Sequence, residues 1–536
     1  MKSKRYPLDL LALKENQDNN SKNLIPLEFY NINNYNNISF IIYDHLNSAF
    51  KSCFQLLKKN EINKYYNFIA LFYHHINSIL CSYYFCLYEL ELVDSDNKEI
   101  LFSDHMKEWS IGYSQIVSSN YDYKVGDNSL SVKSQLKRFM KWFKKHNRAK
   151  GNTKIFLHPH GDLNLLSLQR LLKKENINST KSLNEFPKKV KIRLFKKQLK
   201  ILFNEISKLI SNMHIRSVLN AKELNEIIYN RIKPHIHFNE EKKINFDLAI
   251  LDSLGDLESR KIAMQCRLQD IPVMGIAHGE SSGIMDEPVF GIVEQTYCNY
   301  YLGYGELGCK SLKKGKYTRS FFNDSIKLIP SNSNKILKIF KSSYIDKIEN
   351  YSSKTLMYVP TSFNGNARYG PFRDIQDLAY MNWQKDLLKS TLSLLKPKKL
   401  FIKYHPKDRL DFFINMENVD IINKGNFFNY INKADAFIFD FPGSAFSLAL
   451  ATSRPVFYMD IGLRNLNSFV LKKIKERCVY IKTNPAKADN AVSKILTDIF
   501  EEKRNSYTKN FCLGDKEQKR EETVKNAIQK YLLFKN

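Results

Sequence analysis

The feature that most constrains the fold of this chain is a repeated alternation of short apolar runs with helical patterns. Apolar runs occupy residues 246–253, 271–277 and 295–305, and a helical pattern over 255–270 joins the first two. Such alternation predicts a parallel sheet, because the helix returns the chain to the end of the sheet where the previous strand began. The sequence therefore predicts one doubly wound sheet in this part of the chain.

A second series of the same kind follows. Its predicted strands are residues 355–360, 399–406, 419–425, 436–441 and 455–460. Helical patterns over 381–395 and 444–452 lie between some of them. We therefore predict an α/β protein with two Rossmann-like domains that face each other across a cleft, together with extra N-terminal helices.

The domain boundaries in this 536-residue chain follow from the two series. We predict a mostly helical region over 1–150, a first Rossmann-like domain over 151–340, a second over 341–510 and a closing helix over 511–536. Within the first region, one short strand is predicted over residues 39–44. The sequence does not define the role of residues 1–150.

The charge balance is strongly basic, because 83 Lys and Arg against 55 Asp and Glu give a net charge of +28. Such a chain attracts anionic partners, and nucleic acid, anionic lipid and phosphorylated substrates all satisfy that condition. Two basic amphipathic helices are predicted, over residues 132–150 and about 190–210. Each is either a surface for anionic lipid or a core helix with a solvated basic face.

Several features predict a cytoplasmic protein without a metal or a cofactor. Eight cysteines are scattered without CxxC pairs or zinc spacing, which is typical of reduced thiols. The N-terminus lacks the apolar core of a signal peptide, and no dinucleotide or Walker A motif occurs. Residues 65–88 contain no Asp, Glu, Lys or Arg, but they include histidines, asparagines and tyrosines, so we predict buried helices there.

The strongest candidate site motif lies at residues 436–460. A predicted strand ends near Asp440, and Pro442-Gly443-Ser444 leads directly into a helix of small residues. Gly443 permits a tight turn and Ser444 is a natural N-cap, so the free amides of the first turn are expected to bind a phosphate. Asp440 either orients a ligand hydroxyl or holds the loop. The alternative is an ordinary strand-to-helix turn with a capping serine.

A second motif, KLFIKYHPKD, occupies residues 399–408. Lys403 and His405 are two positions apart on a predicted strand, so we expect them to share one face and to point to the cleft. A cationic pair there suits a diphosphate leaving group. The alternative is a surface lysine beside a hydrogen-bonded histidine.

A third motif, IPVMGIAHGESSG, occupies residues 271–283. His278 follows an apolar strand and precedes Gly279, where a histidine is suited to act as a general base toward an incoming hydroxyl. Glu280 is the nearby carboxylate that shares this candidate role. The alternative is a loop histidine without a role.

Two weaker sets of residues also follow predicted strands. The first set, candidates for binding a phosphate or a sugar, is Thr361, Ser362 and Arg368. The second set, candidates for lining the side of the other substrate, is His158, His160 and Asp162. Plain loops are the alternative for both sets, and the His-Pro-His spacing is not that of a metal site.

The motifs YVPT (358–361), KYHP (403–406) and FDFPGSAFSLALATSRPVFYMD (439–460), preceded by AHG (277–279), carry a family resemblance. In this order the set resembles the two-domain GT-B transferases of bacterial surface-polymer synthesis. The CDP-glycerol glycerophosphotransferases of teichoic acid synthesis are the most similar. Capsule and surface-carbohydrate transferases contain related elements, and the Asp-x-Pro-Gly-Ser form looks more like theirs. The resemblance spans roughly residues 245–465.

The resemblance implies a GT-B-like fold and roles for individual residues. His278 matches the histidine that acts as base in that family. His405 matches the histidine that contacts the donor phosphate, and Ser444 matches a serine of the donor phosphate loop. The donor nucleotide is then expected on the second domain, and the acceptor is expected to enter from the first.

The chain departs from the family pattern at all three motifs. Gly-Glu-Ser follows the first histidine where the family usually has Gly-Thr-Pro. Ser-Phe follows the Pro-Thr pair where the family commonly has an aromatic residue and an arginine, and Gly-Ser replaces a double serine. These departures favour a sugar nucleotide over a glycerol-phosphate donor.

The sequence therefore predicts a cytoplasmic glycosyltransferase, peripheral on the inner face of the cytoplasmic membrane, that is histidine-assisted and metal-independent. Its partners would be a CMP-, UDP- or CDP-linked sugar donor, a glycan or lipid-linked acceptor of capsule or lipopolysaccharide synthesis, and an anionic membrane surface. The predicted donor-binding residues are Thr361, Ser362, Arg368, Lys403, His405, Asp440, Gly443 and Ser444.

Two alternatives stay open. The first, within the same fold, is a polyol-phosphate transferase that uses CDP-glycerol or CDP-ribitol. The second is a non-catalytic basic protein that binds lipid or nucleic acid. No recognised nucleic-acid motif occurs in the sequence, so nucleic acid is not a predicted partner.

Overall fold

The computed structural model describes most of the two predicted domains and part of the N-terminal region. The described residues are 5–7, 32–55, 73, 76–77, 80–81, 84, 99–101, 153–158, 163–180, 196–212, 222, 225–226, 229, 244–251, 254, 257–287, 290–316, 326–342, 351–362, 377–406, 416–497, 506–514 and 518–535.

The described part of the N-terminal region contains a parallel strand pair and one long helix. These elements are β1 (Arg5–Pro7), α1 (Ile32–Gln55) and β2 (Glu99–Leu101). Ile42, Leu46 and Phe50 on α1 are fully buried at a spacing of four residues, which is the period of a helix. The expected strand over 39–44 is therefore wrong, because its apolar residues belong to this helical stripe.

Two other predictions concern the same region. The predicted basic helix over 132–150 lies outside the described residues. None of the helices that the structure describes is long and apolar enough to cross a membrane.

The first sheet contains six parallel strands. They are β3 (Thr153–His158), β4 (Ile177–Thr180), β5 (Leu248–Leu251), β6 (Val273–Ile276), β7 (Tyr300–Tyr304) and β8 (Lys327–Ser331), in the spatial order β4-β3-β5-β6-β7-β8. The helices of this part are α2 (Leu165–Lys174), α3 (Lys196–Asn212), α4 (Leu257–Leu268) and α5 (Glu306–Lys314). The helix α3 packs against α1, so the N-terminal region contacts the first domain.

The second sheet also contains six parallel strands. They are β9 (Thr355–Val359), β10 (Lys399–Lys403), β11 (Val419–Ile422), β12 (Ala436–Phe439), β13 (Val456–Asp460) and β14 (Val479–Lys482), in the spatial order β11-β10-β9-β12-β13-β14. Its helices are α6 (Asn334–Ser342), α7 (Asp377–Ser390), α8 (Ser444–Leu450), α9 (Ser468–Arg477) and α10 (Ala488–Thr497).

The central strands of the second sheet, β9, β12 and β13, are buried on both faces. On β9, Leu356 and Tyr358 pack into the core beneath α7 and α10, while Met357 and Val359 pack into the core beneath α6, α8 and α9. A strand covered by helices on both sides needs apolar residues at every position, which explains the continuous apolar runs in the sequence. The predicted α/β class with two Rossmann-like parallel sheets is confirmed.

The strand order reverses once in each sheet. In the second sheet the chain runs from β9 outward to β11 and then returns to β12 on the other side of β9. In the first sheet it runs from β3 to β4 and returns to β5. Ligands of open α/β sheets bind beyond the carboxyl ends of the strands at such a reversal. The structure therefore points to the ends of β9 and β12, and to the ends of β3 and β5.

The end of the chain returns to the first domain. Residues 506–514 pack on the core of the second sheet, and α11 (Arg520–Lys535) then places Val524 and Ile528 in the core of the first sheet. Arg520 is fully buried, lies 3.9 Å from the centre of the Tyr304 ring and donates to the Ala277 carbonyl. The closing helix therefore joins the two domains through contacts at the carboxyl ends of the strands of the first sheet.

Candidate active site between the two sheets

The loops at the carboxyl ends of the strands of the two sheets are in contact at Gly279. A Cβ atom built on Gly279, just after β6, would lie 2.3 Å from the Ser444 Oγ at the start of α8. The Ser447 hydroxyl donates to the Glu280 carbonyl at 3.2 Å in the same contact. The loop after β6 therefore lies directly on the turn after β12, and a side chain at position 279 would displace the Ser444 hydroxyl.

A second contact between the sheets lies beside the first. The backbone of Asp286 donates to the Asn465 carbonyl at 2.8 Å, and the backbone of Asn467 donates to the Ile284 carbonyl at 2.9 Å. The Arg464 Nε lies 3.7 Å from the buried Glu287 carboxylate, whose pKa is raised by burial. The loops after β6 and β13 are thus paired, and the carboxyl edges of the two sheets face each other as a GT-B-like fold requires.

His278 lies at the surface of this meeting point. Its side chain is exposed, and its backbone N–H donates to the carboxylate of Glu294 below it. The Tyr301 hydroxyl donates to the same carboxylate, and the Arg520 guanidinium contributes a favourable charge. Burial raises the pKa of Glu294 to about 7. This arrangement fixes the backbone at His278, whose side chain is exposed at the meeting point of the two sheets.

Sequence reasoning missed Glu294. The signal available for it was a lone acidic residue within the otherwise uncharged run 288–298. A carboxylate in such a run must find buried hydrogen-bond donors, and Tyr301 and the His278 backbone supply them.

Glu280, predicted to share the role of base, is buried beneath the surface. Its Oε1 accepts a hydrogen bond from the Ser333 hydroxyl at 2.9 Å. The Ser333 Oγ also accepts from the Ile336 backbone N–H in the first turn of α6. The Glu280 carboxylate therefore holds the start of α6, and of the two candidate bases it is His278 that is exposed.

Three of the predicted donor-side residues lie along one edge. Thr361 and Ser362 follow β9 and are half-buried, and Ser444 follows β12, so these groups flank the reversal of strand order. His405 follows β10, the neighbouring strand, and is exposed. The structure therefore places hydroxyl groups and an imidazole where a ligand of this sheet is expected. The predicted Arg368 lies outside the described residues.

The predicted acceptor-side set is only partly described. His158 is the last residue of β3, beside the reversal of strand order in the first sheet. It is half-buried, and its ring lies parallel to that of Phe156 with 6.2 Å between ring centres. His160 and Asp162 lie outside the described residues.

Strand alternation predicted that Lys403 and His405 share one face, but Lys403 is buried and His405 is exposed. The Lys403 Nζ donates to the Tyr404 carbonyl at 2.7 Å, and it lies 5.5 Å from the centre of the Tyr430 ring. The strand β10 ends at Lys403, so strand alternation does not extend to His405. The geometry supports a contact of His405 with a ligand and a structural position for Lys403.

Asp440 lies at the centre of a buried hydrogen-bond network. Its Oδ2 accepts from the Trp383 Nε1 at 2.9 Å and from the Tyr358 hydroxyl, and its Oδ1 accepts from the Tyr380 hydroxyl at 2.9 Å. The Tyr380 oxygen in turn accepts from the Thr361 backbone N–H at 2.9 Å. Burial raises the pKa of Asp440 to about 6. Of its two expected roles, the geometry supports the second, because the carboxylate holds the loop after β9 through Tyr380.

The turn after β12 differs by one residue from the expected capping pattern. Gly443, with φ −78°, is the N-cap of α8, and Ser444 is the first helical residue, so Ser444 is not the cap. A Cβ atom on Gly443 would lie 3.0 Å from the Phe441 ring. Glycine is therefore favoured here because a side chain would crowd that ring, and the backbone angle does not require it. The Ser444 side chain is thereby left beside Gly279 and the cleft.

Among the described residues, the side chains at this edge that can donate to an anionic ligand include hydroxyls and imidazoles. Within the described ranges, no group of three or more His, Cys, Asp or Glu side chains could hold a metal ion.

The contact between Gly279 and Ser444 gives a testable expectation. Replacing Gly279 by alanine should lower the free energy of unfolding by about 1 kcal/mol, because the new methyl group forces the Ser444 Oγ out of its present rotamer. Adding Ser444→Ala should recover most of that loss, since the Ser444 Cβ lies at an ordinary 3.7 Å from the built atom. Thermal or urea unfolding of both variants measures this. A double variant as unstable as Gly279→Ala alone would contradict the contact.

The raised pKa of Glu294 predicts a pH dependence of stability. Its folded-state pKa of about 7 exceeds the ordinary 4.5, so the folded protein binds this proton more tightly than the unfolded chain does. Between these two values the unfolded state holds fewer protons, and stability falls as pH rises. The contribution is complete below pH 4.5 and is lost as pH rises through about 7.

The expected loss from this one group is about 3 kcal/mol. Glu294→Gln should flatten the dependence of the unfolding midpoint on pH across this window. The exposed Glu175→Gln is the matched control and should leave the wild-type slope unchanged. Equal slopes in wild type and Glu294→Gln would contradict the assignment.

Comparisons with known proteins give a limited result. No protein-family model matches the chain. No curated protein matches it in sequence. Several solved structures share its arrangement at low identity, and MurG from Acinetobacter baumannii is 10% identical, covering 70% of this chain and 99% of its own with a TM-score of 0.33.

Two further solved structures are similar to the same extent. The glycotransferase of kitacinnamycin is 10% identical, covering 71% of this chain and 99% of its own, with a TM-score of 0.35. The spinosyn rhamnosyltransferase SpnG complexed with thymidine diphosphate is 9% identical, covering 65% of this chain and 92% of its own, with a TM-score of 0.32. At this identity and TM-score, the similarity assigns neither an activity nor a substrate to the chain.

Proposed function

We propose that this chain is a glycosyltransferase that moves a sugar from a nucleotide-activated donor to a hydroxyl acceptor. The observation that supports this most directly is the contact of Gly279 with Ser444. It brings an exposed histidine at the end of β6 to the edge where the strand order of the second sheet reverses. Group transfer between two bound substrates needs a base near the acceptor and a binding site for the donor. Here the first sheet supplies the base, and the edge of the second sheet is the candidate donor site.

The reaction follows from these positions. The His278 imidazole takes the proton of the acceptor hydroxyl, and the acceptor oxygen forms a bond to the anomeric carbon of the sugar. The bond from that carbon to the donor phosphate breaks, and the nucleotide leaves with the electron pair. Thr361, Ser444 and His405 lie on the donor side, where they can donate hydrogen bonds to the leaving phosphate without a metal ion.

The finer assignments rest on the motif resemblance and on charge. We propose a CMP-, UDP- or CDP-linked sugar donor and a glycan or lipid-linked acceptor of capsule or lipopolysaccharide synthesis. We also propose that the protein acts in the cytoplasm at the inner face of the membrane, in agreement with its net charge of +28. The residues 151–340 would then form the acceptor-side domain and 341–510 the donor domain.

The experiment is nucleotide release by the purified protein across a panel of CMP-, CDP-, UDP- and GDP-linked compounds, with and without EDTA. Slow release from one nucleotide sugar, unaffected by EDTA, is the expected result. Release from CDP-glycerol or CDP-ribitol would instead support the polyol-phosphate transferase that the motifs also resemble. No turnover, together with no thermal stabilisation by any donor, would contradict a transferase.

A further inference from the structure

We infer that one face of the protein, formed by helices of both domains, binds an anionic lipid surface. This face, called the lysine face below, is the exposed side of α5, α6, α9 and residues 508–512. The inference rests on the membrane location proposed above and deepens it by naming the surface. Its test is separate from the proposed activity, because lipid binding can be measured without a donor.

The four elements form one continuous surface. The Lys310 ammonium of α5 lies 6.0 Å from the centre of the Phe469 ring of α9, and that ring contacts Phe511. The Lys509 ammonium lies 5.9 Å from the centre of the Phe340 ring of α6. Lysine–aromatic pairs therefore connect α5, α9, residues 508–512 and α6 side by side.

The charge on this face is almost entirely positive. Its lysines are Lys310, Lys313, Lys314, Lys335, Lys338, Lys341, Lys472, Lys473, Lys475 and Lys509. The carboxylates on the same elements are Glu306 and Glu476, and Glu476 is paired with Lys473 at 2.5 Å. Arg477 is buried and donates to backbone carbonyls, so it adds nothing to the surface.

The helices on the opposite face of the second sheet serve as a comparison. The helices α7 and α10 contain three lysines and three aspartates, so their formal charges cancel. Leu496 on α10 is 54% exposed, which means that exposed apolar side chains occur on both faces. The lysine face is therefore distinguished by its excess of positive charge. A chain that is basic all over would show a similar excess on both faces.

The aromatic residues favour a lipid surface over nucleic acid. Phe469 is 38% exposed, whereas Phe340 and Phe428 pack on the core below and have a lysine ammonium above the ring. Rings held in this way offer an amphipathic layer with cationic heads, which suits the headgroup region of a bilayer. They do not form the free stacking platforms that unpaired bases require.

The test is sedimentation of the full chain with phosphatidylcholine vesicles and with vesicles rich in phosphatidylglycerol. Wild type should bind the anionic vesicles and not the neutral ones. The double variant Lys338→Ser/Lys341→Ser should bind about thirty-fold more weakly, because each lysine near an anionic surface contributes on the order of fivefold. The matched control Lys389→Ser/Lys494→Ser, on the opposite face, should bind within about twofold of wild type.

Several outcomes would overturn the inference. These are equal weakening by the control pair, equal binding to neutral vesicles, or no binding to either. Salt-sensitive binding of a mixed-sequence oligonucleotide, lost in Lys338→Ser/Lys341→Ser while vesicles are not bound, would assign the face to nucleic acid. Nucleotide release by the same variants in solution is expected to equal that of wild type. Loss of vesicle binding is thereby distinguished from failure of the proposed activity.

Discussion

His278→Ala is expected to lower nucleotide release from the active donor by about 100- to 10,000-fold. The imidazole is the exposed group at the meeting point of the two sheets, and removing a general base typically costs this much. Donor binding should be largely retained, because the donor-side groups belong to the second sheet. Initial rates and donor-induced thermal stabilisation, measured on the same preparation, separate the two effects.

The matched control is His45→Ala on α1, a helix of the N-terminal region. It should leave the rate within about twofold of wild type, since α1 contributes no strand end to either six-stranded sheet. Because His278 is exposed, its substitution should also leave the unfolding midpoint nearly unchanged. A His278→Ala protein that is folded and as active as wild type would remove the histidine from the mechanism.

Asp440→Ala is expected to destabilise the protein by about 3–5 kcal/mol. The substitution leaves the Tyr358 and Tyr380 hydroxyls and the Trp383 N–H buried without their acceptor. The loop after β9 should loosen as well, since the Thr361 N–H bonds to the same Tyr380 oxygen. Donor affinity should therefore fall along with stability.

The control for Asp440 is Asp420→Ala on the edge strand β11. Asp420 is about half-exposed and pairs with Lys399 at 2.6 Å, so its loss should cost less than about 1 kcal/mol. Asp440→Asn should lie between wild type and Asp440→Ala, because the amide keeps one acceptor oxygen. Thermal unfolding at one pH ranks the three variants. If Asp440→Ala and Asp420→Ala have the same thermal unfolding midpoint, the hydrogen-bond network around Asp440 does not contribute to stability.

The sequence predicted the central strands of the second sheet because burial on both faces makes each of them a continuous apolar run. Phe437 and Ile438 point into opposite cores and are both fully buried, so local composition alone identifies β12. The edge strand β14 was not predicted, because an alternating run with a surface lysine is a weaker signal. The helix α1 was mistaken in part for a strand, since a short apolar run fits either period.

Contacts between distant segments could not be derived from the sequence. The approach of Gly279 to Ser444, the burial of Glu280 against Ser333 and the position of Lys403 depend on how the two sheets are placed. The strand-end pattern predicted candidate segments that lie at the carboxyl edges of the two sheets, but it did not distinguish exposed from buried side chains. His278 and Glu280 illustrate this, since they are two residues apart and only the histidine is exposed.

The central claim is that the carboxyl edge between β9 and β12, covered by the loop of His278, is the donor site. The most direct measurement is a crystal structure with the nucleotide that the release panel identifies. The account predicts phosphate groups within hydrogen-bond distance of Ser444 or Thr361, with His278 facing the same cleft. A nucleotide bound elsewhere, such as on the lysine face or along the opposite edge of the sheet, would contradict it.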